Sequence, residues 1–174
     1  NRRVVNVEET RFRDLVLARN GAASLGGAFT EFVRVSIAPA PRAVVRRHLG
    51  PNRFAQPVGV QLMGNHLEHL ARTARHAVEA GAPLVDLNFG CPVKRAIAGC
   101  AGSALLREPA AIERIVRAVV DAVPVPVTAK IRAGYADASQ VEDLARAAEN
   151  GGAALLTVHC RTRVEHYCDA VDWT

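Results

Sequence analysis

The polar residues of this sequence that could bind a ligand or catalyse a reaction lie where short apolar runs give way to polar or glycine-containing segments. They are Gln61, Asn88, Lys130, Arg132, His159 and Arg161. If the runs are parallel barrel strands, their carboxyl ends share one rim, and these side chains converge on one pocket. The sequence therefore predicts one polar site that is built from several distant segments.

Lys130 stands out because it is one of only two lysines and follows the apolar run of residues 125–129. A cation at the rim of a pocket would suit an anionic or electron-rich ring system. The alternative is a structural lysine whose ammonium group reaches solvent from the end of a strand.

Cys91 lies in a turn between Gly90 and Pro92, where it is a candidate acid. A free cysteine thiol has an ordinary pKa of about 8.5, so it is mostly protonated at neutral pH and can donate a proton. The alternative is a small apolar cysteine buried in the core. We apply that interpretation to Cys100, Cys160 and Cys168.

A zinc site is a weaker interpretation of the same residue types. Cys91, Cys100, His159 and Cys160 could supply four ligands, but their spacing matches no finger or ribbon pattern, and we expect no metal. The four cysteines form no CxxC pair, and we see no secretory leader. We therefore expect a cytoplasmic protein without a disulfide framework.

Short apolar runs alternate with longer helical segments, as in βα units around a parallel sheet. The predicted strands are residues 28–33, 58–62, 84–88, 127–131 and 155–159, and the predicted helices are residues 10–19, 67–80, 110–123 and 139–150. Barrels of this class need roughly 250 residues. We therefore predict an α/β fold, an incomplete TIM-type (β/α)8 barrel of about five to six parallel strands with intervening helices.

Two connections are predicted to be irregular. The loop after Asn88 runs through residues 89–103, and long loops at the carboxyl ends of barrel strands carry chemistry. Residues 39–57 contain four prolines and are predicted to cross the barrel mouth without regular structure.

Composition limits the possible partners. Hydrophobic residues make up 49% and charged residues 22%, which excludes a disordered chain. The formal charge of +5 permits a polyanionic partner without demonstrating one. No apolar run approaches the roughly 20 residues that span a bilayer, so we expect no membrane association.

Five motifs, in order, resemble those of the tRNA-dihydrouridine synthase family. They are VQL at residues 60–62, DLNFGCP at 86–92, GSALL at 102–106, KIRAG at 130–134 and VHCRTR at 158–163, followed by Tyr167 and Asp172-Trp173. The resemblance runs from about Arg11 to the end of the chain. Residues 30–35 further resemble the bacterial DusC-like branch, which acts on the D-loop uridine at position 16.

The resemblance implies an FMN-dependent enzyme that reduces uridine in the tRNA D-loop to 5,6-dihydrouridine, with NADPH as the reductant. It implies that Cys91 protonates C5 of uracil while a hydride reaches C6. The implied cofactor-binding residues are Gln61, Lys130 and His159, and the implied substrate-binding residues are Asn88, Arg132 and Arg161. The implied partner is tRNA, and we expect a monomer for the full-length protein.

Two departures from the family pattern suggest that residues 1–174 form part of a catalytic domain. A first strand ending in Pro-Met would align with Arg3-Val4, and the last two strands and a C-terminal helical tRNA-binding domain are not seen. We therefore expect this chain alone to bind FMN weakly or not at all. The alternatives are a non-catalytic remnant of the family or an FMN-barrel oxidoreductase of the dihydroorotate dehydrogenase type.

Overall fold

The computed structural model describes residues 3–51 and 54–168, and Asp172-Trp173 lies outside them. The helices are α1 (Arg3–Arg19), α2 (Arg42–Leu49), α3 (Leu67–Glu79), α4 (Lys94–Ala98), α5 (Pro109–Val120) and α6 (Val141–Asn150). The strands are β1 (Ala28–Phe29), β2 (Val33–Arg34), β3 (Val58–Met63), β4 (Val85–Asn88), β5 (Val127–Arg132) and β6 (Leu155–His159). A 3-10 helix, Gly102–Arg107, lies between α4 and α5.

The strands form one parallel sheet in the order β1-β3-β4-β5-β6, with β2 also paired to β3. The sheet curls into part of a barrel with helices between its strands, which confirms the predicted fold class. The predicted strand at residues 28–33 is divided into β1 and β2. Phe29 pairs with Gly59 and Val33 with Leu62, so the edge strand carries one extra residue between its two segments.

The register separates the sheet into a polar and an apolar face, because residues that pair across a parallel ladder point to the same side. The polar face carries Gln61, Asp86, Asn88, Thr128, Lys130, Arg132 and His159. The opposite face carries Val60, Leu62, Val85, Leu87, Val127, Ala129 and Ile131, all of them buried. This aliphatic face packs in one core with the helices, including Leu70 of α3, Ile112 of α5 and Leu144 of α6.

Both connections that were predicted to be irregular contain helices, and a further helix begins where the family pattern places the end of a strand. Residues 42–49 form α2, whose Val45 and Leu49 are buried, while the prolines of that region lie outside the helix. The loop after β4 contains α4 and the 3-10 helix. Residues 3 and 4 begin α1, where the family pattern places the end of a strand.

No helix in the described ranges, 3–51 and 54–168, is long and apolar enough to cross a membrane.

We predict that Ile131→Ala lowers the free energy of unfolding by about 2–5 kcal/mol, because it removes a large side chain from a core position that is 0% exposed. Ile37→Ala is the matched control, since Ile37 is 96% exposed and its loss should change stability by less than about 0.5 kcal/mol. Urea denaturation measures both, and equal effects would contradict the assignment of the two faces.

Candidate active site

A cavity of about 210 Å³ lies at the carboxyl ends of β4, β5 and β6. Its walls are formed by Phe32, Asn88, Gly90, Cys91, Pro92, Lys130, Arg132, His159 and Tyr167. Five of the seven predicted site residues therefore meet around one space. Gln61 lies on the same face of the sheet and is hydrogen-bonded to Asn88, and Arg161 lies beside the cavity in the loop after β6.

The turn that carries Cys91 is held from three directions. The side-chain Oδ1 of Asn88 accepts hydrogen bonds from the backbone N–H groups of Gly90 and Cys91, each at 3.0 Å. Arg132 Nε donates to the Gly90 carbonyl at 2.8 Å, and the Ser103 N–H donates to the Cys91 carbonyl at 3.0 Å. Cys91 is 8% exposed, so its thiol occupies a fixed place in the cavity wall.

Gly102 brings the 3-10 helix close to this turn. Its φ is +60°, and a Cβ there would lie 2.9 Å from the Cys91 carbonyl oxygen. Both the backbone conformation and the close approach require glycine. The GSALL motif therefore packs directly against the turn that carries Cys91 and supports it.

Arg132 ties two loops together. Its Nη1 donates to the carbonyl oxygens of Thr162 and His166, both at 3.1 Å, in addition to the Nε bond to Gly90. A guanidinium has five N–H donors, so these bonds occupy three of them. Within residues 3–51 and 54–168 Nη2 forms no hydrogen bond, so its two donors can bind a ligand, although Arg132 itself is only 3% exposed. Arg132 is thus a structural bridge as well as part of the cavity wall.

Asp86 is a site residue to which the sequence analysis assigned no role. It is 2% exposed and lies on the polar face two residues before Asn88. Its carboxylate accepts hydrogen bonds from Thr128 Oγ1 at 2.6 Å and from Gln61 Nε2 at 2.7 Å. The sequence could have indicated this residue, because it is a carboxylate inside an otherwise apolar strand. It also lies two positions from Asn88, so both side chains point to the same face of the sheet.

Burial and neighbouring charges shift the pKa values of three groups. Burial lowers the pKa of Lys130, and the positive charge of Arg132 lowers it further, against the opposing effect of Asp86. Burial, followed by the charges of Arg132, Lys130 and Arg161, lowers the pKa of His159. Burial raises the pKa of Asp86, while hydrogen bonds from Thr128 and Gln61 oppose the increase.

His159 is therefore neutral at pH 7, and its hydrogen bond assigns the tautomer. Its Nδ1 accepts a hydrogen bond from the Arg161 N–H at 3.3 Å. The proton of the neutral ring then lies on Nε2. The ring also meets Tyr167 edge to face, with centroids 6.5 Å apart. His159 is thereby oriented as a hydrogen-bond donor in the cavity wall.

Positive charge extends beyond the cavity. Arg107 stacks 3.7 Å from the centroid of the Tyr135 ring, and Arg163 lies 5.5 Å from the same ring. In the described part of the chain, the buried Nε atoms of Arg161 and Arg163 have no hydrogen-bond partner. Among the residues that the structure describes, no ion pair joins Lys130, Arg132, His159 or Arg161 to a carboxylate within 4.0 Å.

A larger hollow of about 750 Å³ lies between α6 and β6 and contains none of the predicted site residues. Within residues 3–51 and 54–168, no three His, Cys, Asp or Glu side chains are grouped so that they could hold a metal ion.

The family model for dihydrouridine synthases (Dus) matches residues 4–174, which include every strand of the sheet and the Cys91 turn. The chain belongs to the dihydrouridine synthase family. This confirms the resemblance that the five motifs indicate.

Relatives within the dihydrouridine synthase family support the same assignment. The chain is 39% identical to the tRNA-dihydrouridine(16) synthase of Aquipseudomonas alcaligenes and 40% identical to that of Pseudomonas syringae pv. tomato, over 90% of this chain and 53% of each relative. It is 45% identical to tRNA-dihydrouridine synthase B of Xanthomonas axonopodis pv. citri, over 67% of this chain and 36% of the relative. The chain thus spans about half the length of the first two relatives.

Among solved structures, the carboxyl transferase domain of Rhizobium etli pyruvate carboxylase matches 66% of this chain and 17% of its own, with a TM-score of 0.42 and 14% identity. This likeness is too low to bear on function.

We predict that Asp86→Asn gains stability relative to the unaltered protein as the pH rises. The unfolded carboxyl group ionises near 3.8 and the folded one at higher pH, so the folded state binds more protons between the two values. The free energy of unfolding of the unaltered protein therefore falls across that interval, by up to about 1.4 kcal/mol per pH unit. Urea denaturation of both proteins from pH 4 to 8 measures the difference, and a pH-independent difference would contradict it.

Proposed function

We propose that this protein is an FMN-dependent tRNA-dihydrouridine synthase that reduces a D-loop uridine to 5,6-dihydrouridine with NADPH as the reductant. The observation that carries the proposal is the meeting of the Cys91 thiol with Lys130, Arg132 and His159 around one cavity. The chain belongs to the dihydrouridine synthase family, and the relatives compared above are named as tRNA-dihydrouridine synthases.

The cationic side of the cavity suits a flavin. Lys130, Arg132 and His159 lie together without a carboxylate in ion-pair range among the described residues, and burial, followed by the positive charge of Arg132, lowers the pKa values of Lys130 and His159. An electron-rich ring beside them would relieve this repulsion. Lys130, His159 and Gln61 would hold FMN, which supplies hydride chemistry that amino-acid side chains do not.

The remaining hydrogen-bond donors suit a pyrimidine. Among the residues that the structure describes, Asn88 Nδ2 donates one N–H to Gln61 and the other to none, and Arg132 Nη2 donates to none, which leaves three N–H donors. These donors can bind the carbonyl oxygens of a uracil ring. A cavity of about 150 Å³ can accommodate benzene, so about 210 Å³ is sufficient for one pyrimidine.

Saturation of the C5–C6 double bond of uracil requires a hydride at C6 and a proton at C5. Cys91 would deliver the proton from Sγ to C5, and the resulting thiolate would regain a proton from solvent. The hydrogen bonds around residues 88–92 hold the thiol in the cavity wall, which limits the conformational freedom that must be lost before proton transfer.

A uridine must leave its stack to enter this cavity, so the surrounding surface must hold folded RNA. Three arginines can supply the charge: Arg107 ends the 3-10 helix, and Arg161 and Arg163 follow β6. Arg161 would bind a phosphate or the target nucleotide. Such contacts weaken as the salt concentration rises, because the counterions that leave the RNA on binding then gain less entropy. The cytoplasmic location and the monomeric state stay predictions.

We predict that Cys91→Ala abolishes most dihydrouridine formation, with a loss of about 10²–10⁴-fold, because general acid catalysis contributes that much. The assay incubates the purified full-length protein, for which FMN binding is expected, with FMN, NADPH and unmodified tRNA and measures dihydrouridine by mass spectrometry of nucleosides. The matched control is Cys100→Ala, because Cys100 does not line the cavity and is exposed, as is Cys168, so the interpretation of these two as buried core cysteines was wrong. The acid role is wrong if both variants keep the activity of the unaltered protein.

A further inference from the structure

A chain of four side chains connects the interior of the sheet to the catalytic turn. Thr128 and Gln61 donate to Asp86, Asn88 donates to Gln61, and the turn donates to Asn88. We propose that Asp86 is a positioning residue, which fixes the direction of the Gln61 and Asn88 amides and thereby holds the turn that carries Cys91.

The first step is the interaction of Asp86 with Gln61. Both carboxylate oxygens accept hydrogen bonds, from Thr128 Oγ1 and from Gln61 Nε2. An ionised carboxylate can only accept, so the Gln61 side chain must turn its NH2 group toward Asp86. The backbone N–H of Gln61 also donates to Thr30 Oγ1 at 3.2 Å, which holds the strand at this point.

The second step is the interaction of Gln61 with Asn88, which fixes the orientation of the Asn88 amide. With its NH2 group toward Asp86, Gln61 presents Oε1 to Asn88, and Asn88 Nδ2 donates to it at 2.8 Å. The Asn88 carbonyl oxygen then faces the N–H groups of Gly90 and Cys91. Reversal of either amide would place two acceptors or two donors against each other. The Asp86 carboxylate, which accepts at one end, and the N–H groups of Gly90 and Cys91, which donate at the other, therefore favour the same orientation of both amides.

The location of Asp86 supports this role. A carboxylate that is 2% exposed carries a desolvation cost that an aliphatic residue at the same position would not. Its neighbours Val85 and Leu87 face the aliphatic core, so Asp86 contributes nothing to that packing. Its hydrogen bonds lead instead toward the cavity. The raised pKa of Asp86 reflects the same burial.

The positioning role of Asp86 rests on the hydrogen bonds alone. Only the statement that the positioned Cys91 thiol acts as an acid rests on the proposed function. The same chain of hydrogen bonds also directs the second N–H of Asn88 Nδ2, which we assign to uracil. Asp86 itself does not line the cavity, so it acts through Gln61 and Asn88.

The test is amide hydrogen exchange at Gly90 and Cys91, measured by NMR on the purified protein. Asp86→Leu removes the acceptor, and Gln61→Met interrupts the chain without changing Asp86. Each should speed exchange at both amides about tenfold, the factor expected for one lost hydrogen bond of ordinary net strength. The control is the amide of Val85, which donates to the Pro126 carbonyl and should not change.

Two further variants separate this role from general structural support. Asp86→Asn keeps an acceptor for Gln61, and the Thr128 hydroxyl can donate or accept, so exchange should stay close to that of the unaltered protein. The Asp86→Leu/Gln61→Met double variant should lose no more protection than either single variant, because both interrupt one chain. Unchanged exchange in Gln61→Met, or additive losses in the double variant, would overturn the proposal.

Activity on tRNA distinguishes this proposal from the proposed function. Asp86→Leu should lower kcat for dihydrouridine formation about tenfold with little change in KM for tRNA, and Asp86→Asn should restore it. If the full-length unaltered protein, with FMN shown to be bound by its absorbance, forms no dihydrouridine while exchange changes as expected, the proposed function is wrong and the role of Asp86 is supported. A normal kcat in Asp86→Leu would overturn the role of Asp86.

Discussion

The parallel register of β3, β4 and β5 is the constraint on which the rest of the site depends. Because Asp86 pairs with Thr128 and Asn88 with Lys130, polar groups from different strands share one face. A slip of one residue would exchange the two faces and turn Leu87 toward the cavity. The packing of the aliphatic face against the helices therefore maintains the geometry of the candidate active site without contacting it.

Hydrogen bonding divides the polar residues of this face into two sets. Asp86 and Arg132 are almost fully buried, and their polar atoms bind other parts of the protein, so they offset the cost of burial and hold the shape of the site. Lys130 and His159 line the cavity, and in the described part of the chain neither forms an ion pair. Asp86 therefore positions the site, Lys130 and His159 can meet a ligand, and Arg132 does both, because it also lines the cavity.

Strands β3 to β6 were predictable because each is a short apolar run bounded by polar or glycine residues, a local pattern. The division of the edge strand into β1 and β2 was not, because its extra residue is defined only by pairing with β3. Helix α2 was missed because the prolines around it dominate the local signal. Its stability comes from burial of Val45 and Leu49 against distant residues.

The sequence by itself determined the family and the convergence of five predicted residues on one rim, because motif order and strand ends can be read along the chain. Only the tertiary structure decided which polar groups form hydrogen bonds with each other and which face the cavity. Arg132 donates three hydrogen bonds to carbonyl oxygens that are 30 to 42 residues away along the chain. Asp86 accepts hydrogen bonds from side chains that are 25 and 42 residues away along the chain. Such partners depend on how strands and loops come together in space, which no local pattern specifies.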